Sequence, residues 1–118
     1  MGAFCVFDSK TGIKKYRNKE ICDKAYSAQK EAYELGVAPR VIKRIDDLSY
    51  QTEIADTSFF ITNFRELVYY NKIFPDLHSK LKPIFNKYKI HKMGPDGIDL
   101  ARHNLGLYEG KVVMIDFS

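Results

Sequence analysis

Between Asn18 and Gly36 the stretch "NKEICDKAYSAQKEAYELG" spaces its apolar side chains as an amphipathic helix does. Ile21, Ala25, Ala28, Ala32 and Leu35 recur at intervals of four, three, four and three, which places them on one face. Asn18 is a capping residue ahead of the run, and Gly36 is a stop behind it. The segments around this helix read as strands. "AFCVFD" (3–8) and "IKKYR" (13–17) flank the turn residues "SKTG" and predict a hairpin. After the helix, Pro39 in "GVAP" keeps the chain from continuing as helix. "RVIKRI" (40–45) and "YQTEIAD" (50–56) then read as two strands joined by "DDLS".

From Asn63 the period changes. "FRELVYYNKIF" (64–74) predicts a helix ending near Pro75. "DLHSKLKPIFNKY" (76–88) predicts another, with Leu77, Leu81, Ile84, Phe85 and Tyr88 on one face and a kink or break at Pro83. "GPDG" (94–97) reads as a loop, and "LGLY" and "KVVMIDF" as two strands closed by a Glu109–Gly110 turn. Sheet, helix, sheet, helices and hairpin make an α+β domain, and 118 residues fit one such unit, here 1–118.

Composition narrows the class. With 45% hydrophobic and 29% charged residues the chain is of ordinary globular type. No apolar run approaches the roughly 18 residues of a membrane span, so no membrane association is expected. The amino terminus lacks a secretory signal pattern, and Val6 stands where myristoylation needs Ser or Thr. Two cysteines, Cys5 and Cys22, are too few for a disulfide framework or a zinc site, which points to a reducing, cytoplasmic setting. The net charge of +4 favours acidic partners. Nucleic acid is the weaker candidate, because Lys and Arg are spread along the chain and most of the eight Tyr and eight Phe fall at positions an element would bury. A nucleoside triphosphate is acidic too.

The carboxy-terminal stretch carries the chemistry. "DLARHN" sets Asp99 and Asn104 five apart, and "VVMIDFS" sets Asp116 twelve residues beyond, at the end of a strand. Alone, an Asp and an Asn in a loop mean little. In this order and context they resemble the catalytic loop and the Asp-Phe-Gly segment of protein kinases. "GIKKY" resembles the Val-Ala-Ile-Lys strand of the same family. The chain is similar to the protein-kinase-like superfamily, in particular to compact kinase-like proteins of some bacteriophages. The resemblance implies a truncated kinase-like fold, with 1–56 as a small-lobe-like sheet and helix and 57–118 as a minimal large-lobe-like part.

The resemblance also implies roles and ligands, ATP and Mg2+. Lys14, with Lys15 as the alternative, would hold phosphates. Glu31 would pair with that lysine, Glu34 and Glu20 being poorer placed. Glu53, Ile54 and Ala55 would offer backbone groups to an adenine edge. Asn104 and Asp116 would hold magnesium, and Asp99 would accept the substrate hydroxyl's proton. Departures accompany it. No glycine-rich loop is visible, Gly97 and Ile98 replace the usual His-Arg before the catalytic Asp, and Ser118 stands in place of the last Gly. No activation segment or peptide platform is therefore expected. His78, His91 and His103 lack metal-ligand spacing, and His103 reads as a solvated loop residue. Two main readings follow: a minimal phosphotransferase or autokinase, and a pseudokinase that docks on a protein partner, a host protein if the source is viral. An unfinished lobe would expose apolar surface and favour a homodimer or tight partner.

Overall fold

A four-residue turn opens the fold. In the computed structural model, which describes residues 5–58, 66–90, 93–94, 97–98 and 104–117, strand β1 (Cys5–Asp8) pairs antiparallel with β2 (Ile13–Tyr16). Asp8 Oδ1 accepts from the Lys10 amide at 2.9 Å, an Asx-type turn, and Gly12 takes the left-handed φ of 77° that closes it. Only glycine fits there, since a Cβ would stand 2.0 Å from the Thr52 carbonyl oxygen.

Helix α1 (Lys19–Glu34) starts and stops as its sequence predicts. Asn18 Oδ1 accepts from the Ile21 amide at 2.9 Å. At the other end the Gly36 and Val37 amides donate back to Tyr33 and Ala32 around a left-handed Gly36, the Schellman arrangement. The buried face is Cys22, Ala25, Ala28, Gln29 and Ala32. Leu35, expected on that face, is 48% exposed, because it lies beyond the last turn that packs on the sheet.

Strands β3 (Val41–Arg44) and β4 (Ser49–Thr52) complete a four-stranded antiparallel sheet of order β1-β2-β4-β3. The strand expected to reach Asp56 ends at Thr52. There the Glu53 amide turns back to the Arg40 carbonyl at 2.9 Å, and Asp56 bridges to Leu107 instead.

The two helices expected after Asn63 are one. Helix α2 runs from Glu66 to Tyr88 with Pro75 and Pro83 inside it. A mid-helix proline costs about 3 kcal/mol. Burial of Leu77, Leu81, Ile84 and Phe85 offsets it at about 1.5–3 kcal/mol per side chain, so packing overrides the breaker. Short strands β5 (Met93–Gly94) and β6 (Gly97–Ile98) pair with each other and take in Gly94 and Gly97, the two ends of the expected 94–97 loop. Strands β7 (Leu105–Tyr108) and β8 (Lys111–Met114) form the predicted hairpin, with Glu109 and Gly110 at φ 50° and 78°, as a type I′ turn requires. β8 stops at Met114, short of the expected Phe117.

One main core joins these parts, drawing on Tyr16 and Tyr50 from the sheet, the small residues of α1, Leu81 and Phe85 from α2, and Leu105, Met114 and Phe117 from the hairpin region. Phe85 and Phe117 meet edge to face with centroids 5.7 Å apart. The protein is thus a small α+β structure of antiparallel sheets and two described helices. Among the described residues, no helix is long and apolar enough to cross a membrane.

Candidate functional site

Strand alternation selects one lysine of the pair in "IKKY". Lys14 points inward and is 2% exposed, whereas Lys15 points out to solvent. The Lys14 ammonium donates to Gln29 Oε1 at 3.0 Å and to the Ile115 carbonyl. Rings of Phe7, Tyr50 and Phe117 surround it with centroids 6.0, 5.8 and 5.8 Å from Nζ. Burial pushes its pKa down to about 8, and electrostatic coupling to Cys5 and Asp116 opposes that fall.

Gln29 is the partner that the sequence reading missed. Its Oε1 also accepts from Tyr50 Oη at 2.8 Å, and its Nε2 donates to the Pro39 carbonyl at 3.0 Å and to Thr52 Oγ1 at 2.6 Å. The Tyr50 hydroxyl lies 3.2 Å from that of Tyr16. A buried polar chain therefore runs from the sheet through α1 to the segment after β8. Its signal was present in the spacing of Cys22, Ala25, Gln29 and Ala32, which puts one polar side chain into a small-residue stripe.

Glu31 does not meet Lys14. Two residues on from Gln29, it lies roughly 200° round the helix. It pairs instead with Lys87 of α2 at 2.7 Å, and hydrogen bonds from Lys87 and Tyr88 hold its carboxyl below the usual range. Glu20 pairs with Lys24 at 3.2 Å, and Glu34 is exposed.

The segment after β4 crosses toward β7. The Glu53 carboxylate accepts from the Tyr108 hydroxyl and from Arg40 Nε, and its amide is taken by Arg40. Among the described residues, the peptide groups of Ile54 and Ala55 take no backbone partner. Ile54 is 45% exposed, while Ala55 is buried against Val113 and Ile115. Between this segment and Lys14 lies a cavity of about 10 Å³, walled by Phe7, Thr52, Ala55 and Ile115 among others, room for roughly one water. Gly106 allows the close approach, since a Cβ there would stand 2.8 Å from that of Ala55. Gly106→Ala is expected to lower stability by about 1–3 kcal/mol, read as a shift in urea midpoint. An unchanged midpoint would mean that the crossing segment yields without strain.

Asn104 and Asp116 are both fully buried, and the Asn104 carbonyl accepts from the Ile115 amide at 2.9 Å, which holds the two residues at one end of the β7–β8 hairpin. An amide oxygen and a carboxylate are the hard donors that Mg2+ takes alongside phosphate oxygens. No group of three or more His, Cys, Asp or Glu placed to hold a metal occurs among the described residues. Asp99, His91 and His103 lie outside the described residues. The structure thus brings together Lys14, Gln29, Ile115 and Asp116, with Asn104 beside them, and leaves Glu31 outside. Set against known proteins, the chain matches no protein-family model and no curated sequence.

Proposed function

We propose that this chain is a small kinase-like protein that binds ATP with magnesium at the buried Lys14 and acts as a phosphotransferase or autokinase. The observation that carries the reading is the buried Lys14 ammonium, held by the helix residue Gln29 and by the carbonyl next to Asp116. A buried cation in a largely apolar, aromatic setting is costly, and anchoring phosphates is a use that justifies it. On this reading Lys14 holds phosphates, the peptide groups of Ile54 and Ala55 meet the adenine edge, and Glu53 fixes that segment through Tyr108 and Arg40. Asn104 and Asp116 would hold magnesium, which supplies neutralisation of charge on the transferring phosphoryl group. Asp99 is assigned the substrate hydroxyl's proton.

A second reading, a catalytically impaired kinase-like protein that acts by binding a protein partner, is favoured by the neutral amide at position 29 and by the narrow cavity. Thermal unfolding tests the nucleotide reading. Ligand at 100 times its dissociation constant adds roughly 2.7 kcal/mol, several degrees in midpoint for a domain of this size. ATP with magnesium is expected to give such a shift, and Asp116→Asn to remove the part that depends on the metal. No shift at millimolar concentration would rule out the nucleotide reading. Labelled phosphate transfer above an Asp99→Asn control then separates the enzyme from the binder.

A further inference from the structure

The neutral partner of Lys14 bears on what the cleft demands of its ligand, and this step rests on the nucleotide reading above. We propose that Gln29 is a specificity-determining residue that lets Lys14 take nucleotide phosphates without a divalent cation. Metal-free nucleoside di- and triphosphates are then ligands of this cleft in their own right.

Both hydrogen-bond acceptors of the Lys14 ammonium among the described residues, Gln29 Oε1 and the Ile115 carbonyl, are neutral. The three rings around it present π faces without net charge. Asp116 is the carboxylate whose charge acts on it. A carboxylate at position 29 would lie within hydrogen-bond reach of the ammonium, cancel its charge, and repel any phosphate that approached. The amide oxygen occupies the ammonium without cancelling it, so an arriving phosphate displaces a dipole rather than an anion. Gln29 also tolerates the exchange. When Lys14 turns away, Tyr50 Oη remains on Oε1, and Nε2 keeps Pro39 and Thr52. With one anion fewer at the phosphate position, Asp116 is the remaining carboxylate there, so a divalent ion adds affinity through Asn104 and Asp116 but has less repulsion to offset.

The test is calorimetric titration of ATP into the full chain, in excess EDTA and in excess magnesium chloride, for wild type and Gln29→Glu. Wild type is expected to give dissociation constants within about threefold of each other in the two buffers. Gln29→Glu is expected to weaken metal-free ATP about tenfold while changing binding in magnesium much less. A carboxylate would also face the Pro39 carbonyl, so the variant carries a folding cost. If it does not fold, the wild-type ratio decides alone. A wild-type loss beyond about thirtyfold in EDTA overturns the proposal and leaves the nucleotide reading standing. An unchanged ratio in a folded Gln29→Glu overturns it as well. Absence of ATP binding in both buffers removes the nucleotide reading and this inference together.

Discussion

Gln29→Leu is expected to lower folding stability by about 3–5 kcal/mol, a large part of the 5–15 kcal/mol typical of a domain. Leucine fits the volume but makes none of the four hydrogen bonds. The Lys14 ammonium loses one of its two neutral acceptors, and the Pro39 carbonyl and the hydroxyls of Tyr50 and Thr52 lose a partner in the interior. Each buried group left unmatched costs about 1–3 kcal/mol, more where it is charged. Urea denaturation of both proteins measures the loss. A drop under about 1 kcal/mol would mean that water enters and replaces the amide, so the network would not hold the helix to the sheet. Glu31→Gln, which removes only a half-exposed ion pair, should change stability by less than about 1 kcal/mol.

The same residue marks where sequence reasoning stopped. Helix α1 was legible because its ends are chemical: Asn18 takes an orphan amide, and Gly36 takes a left-handed turn. The β7–β8 hairpin was legible for the same reason, since Glu109 and Gly110 sit where a type I′ turn needs positive φ. Counting apolar residues on α1, however, included Leu35 and passed over Gln29, because a polar side chain enters a core only when partners from distant strands meet it. Those partners, Thr52 and the Pro39 carbonyl, come from after the helix, and no local pattern announces them. Position along the helix likewise favours Glu31 as the carboxylate for Lys14, but its partner Lys87 lies 56 positions further on. Helix α2 is the opposite case. Pro75 and Pro83 are strong local breakers, and only the long-range packing of Leu81 and Phe85 shows why the helix runs through them.

Raising the pH from about 7.5 to 9.5 is expected to favour wild type over Lys14→Met by roughly 2 kcal/mol. Burial holds the Lys14 pKa near 8 in the folded chain, against 10.5 for an exposed lysine. Below pH about 8 both states carry the proton, and the burial cost is present in full. Between about 8 and 10.5 the unfolded chain binds a proton that the folded chain has released, so this contribution to stability rises with pH. Cys5, Cys22, Tyr16 and Tyr50 work in the other direction. Burial raises all four, so each contributes stability that is lost as pH climbs past its unfolded value of 9.0 or 10.0. Subtracting the Lys14→Met profile cancels most of that opposing trend and leaves the lysine. A difference that stays flat from pH 7.5 to about 9.5 would mean that Lys14 keeps an ordinary pKa in the folded chain.

The cavity beside Lys14 has a consequence in time. At about 10 Å³ it has room for roughly one water, so on the nucleotide reading proposed above a phosphate would reach Lys14 only where its walls have moved apart. Those walls are not independent, because Ile115 precedes Phe117, which is packed on Phe85, and Met114 is tied to Val37 at 2.9 Å. On that reading opening would be a step of the protein, and its frequency would cap the rate of capture. In stopped flow the observed association rate should climb with ligand at low concentration and then level off at the opening rate. The apparent affinity is reduced by the fraction of molecules open at any instant. Were the walls to close again over a bound phosphate, the same step would govern escape, and slow capture and long residence would share one structural cause.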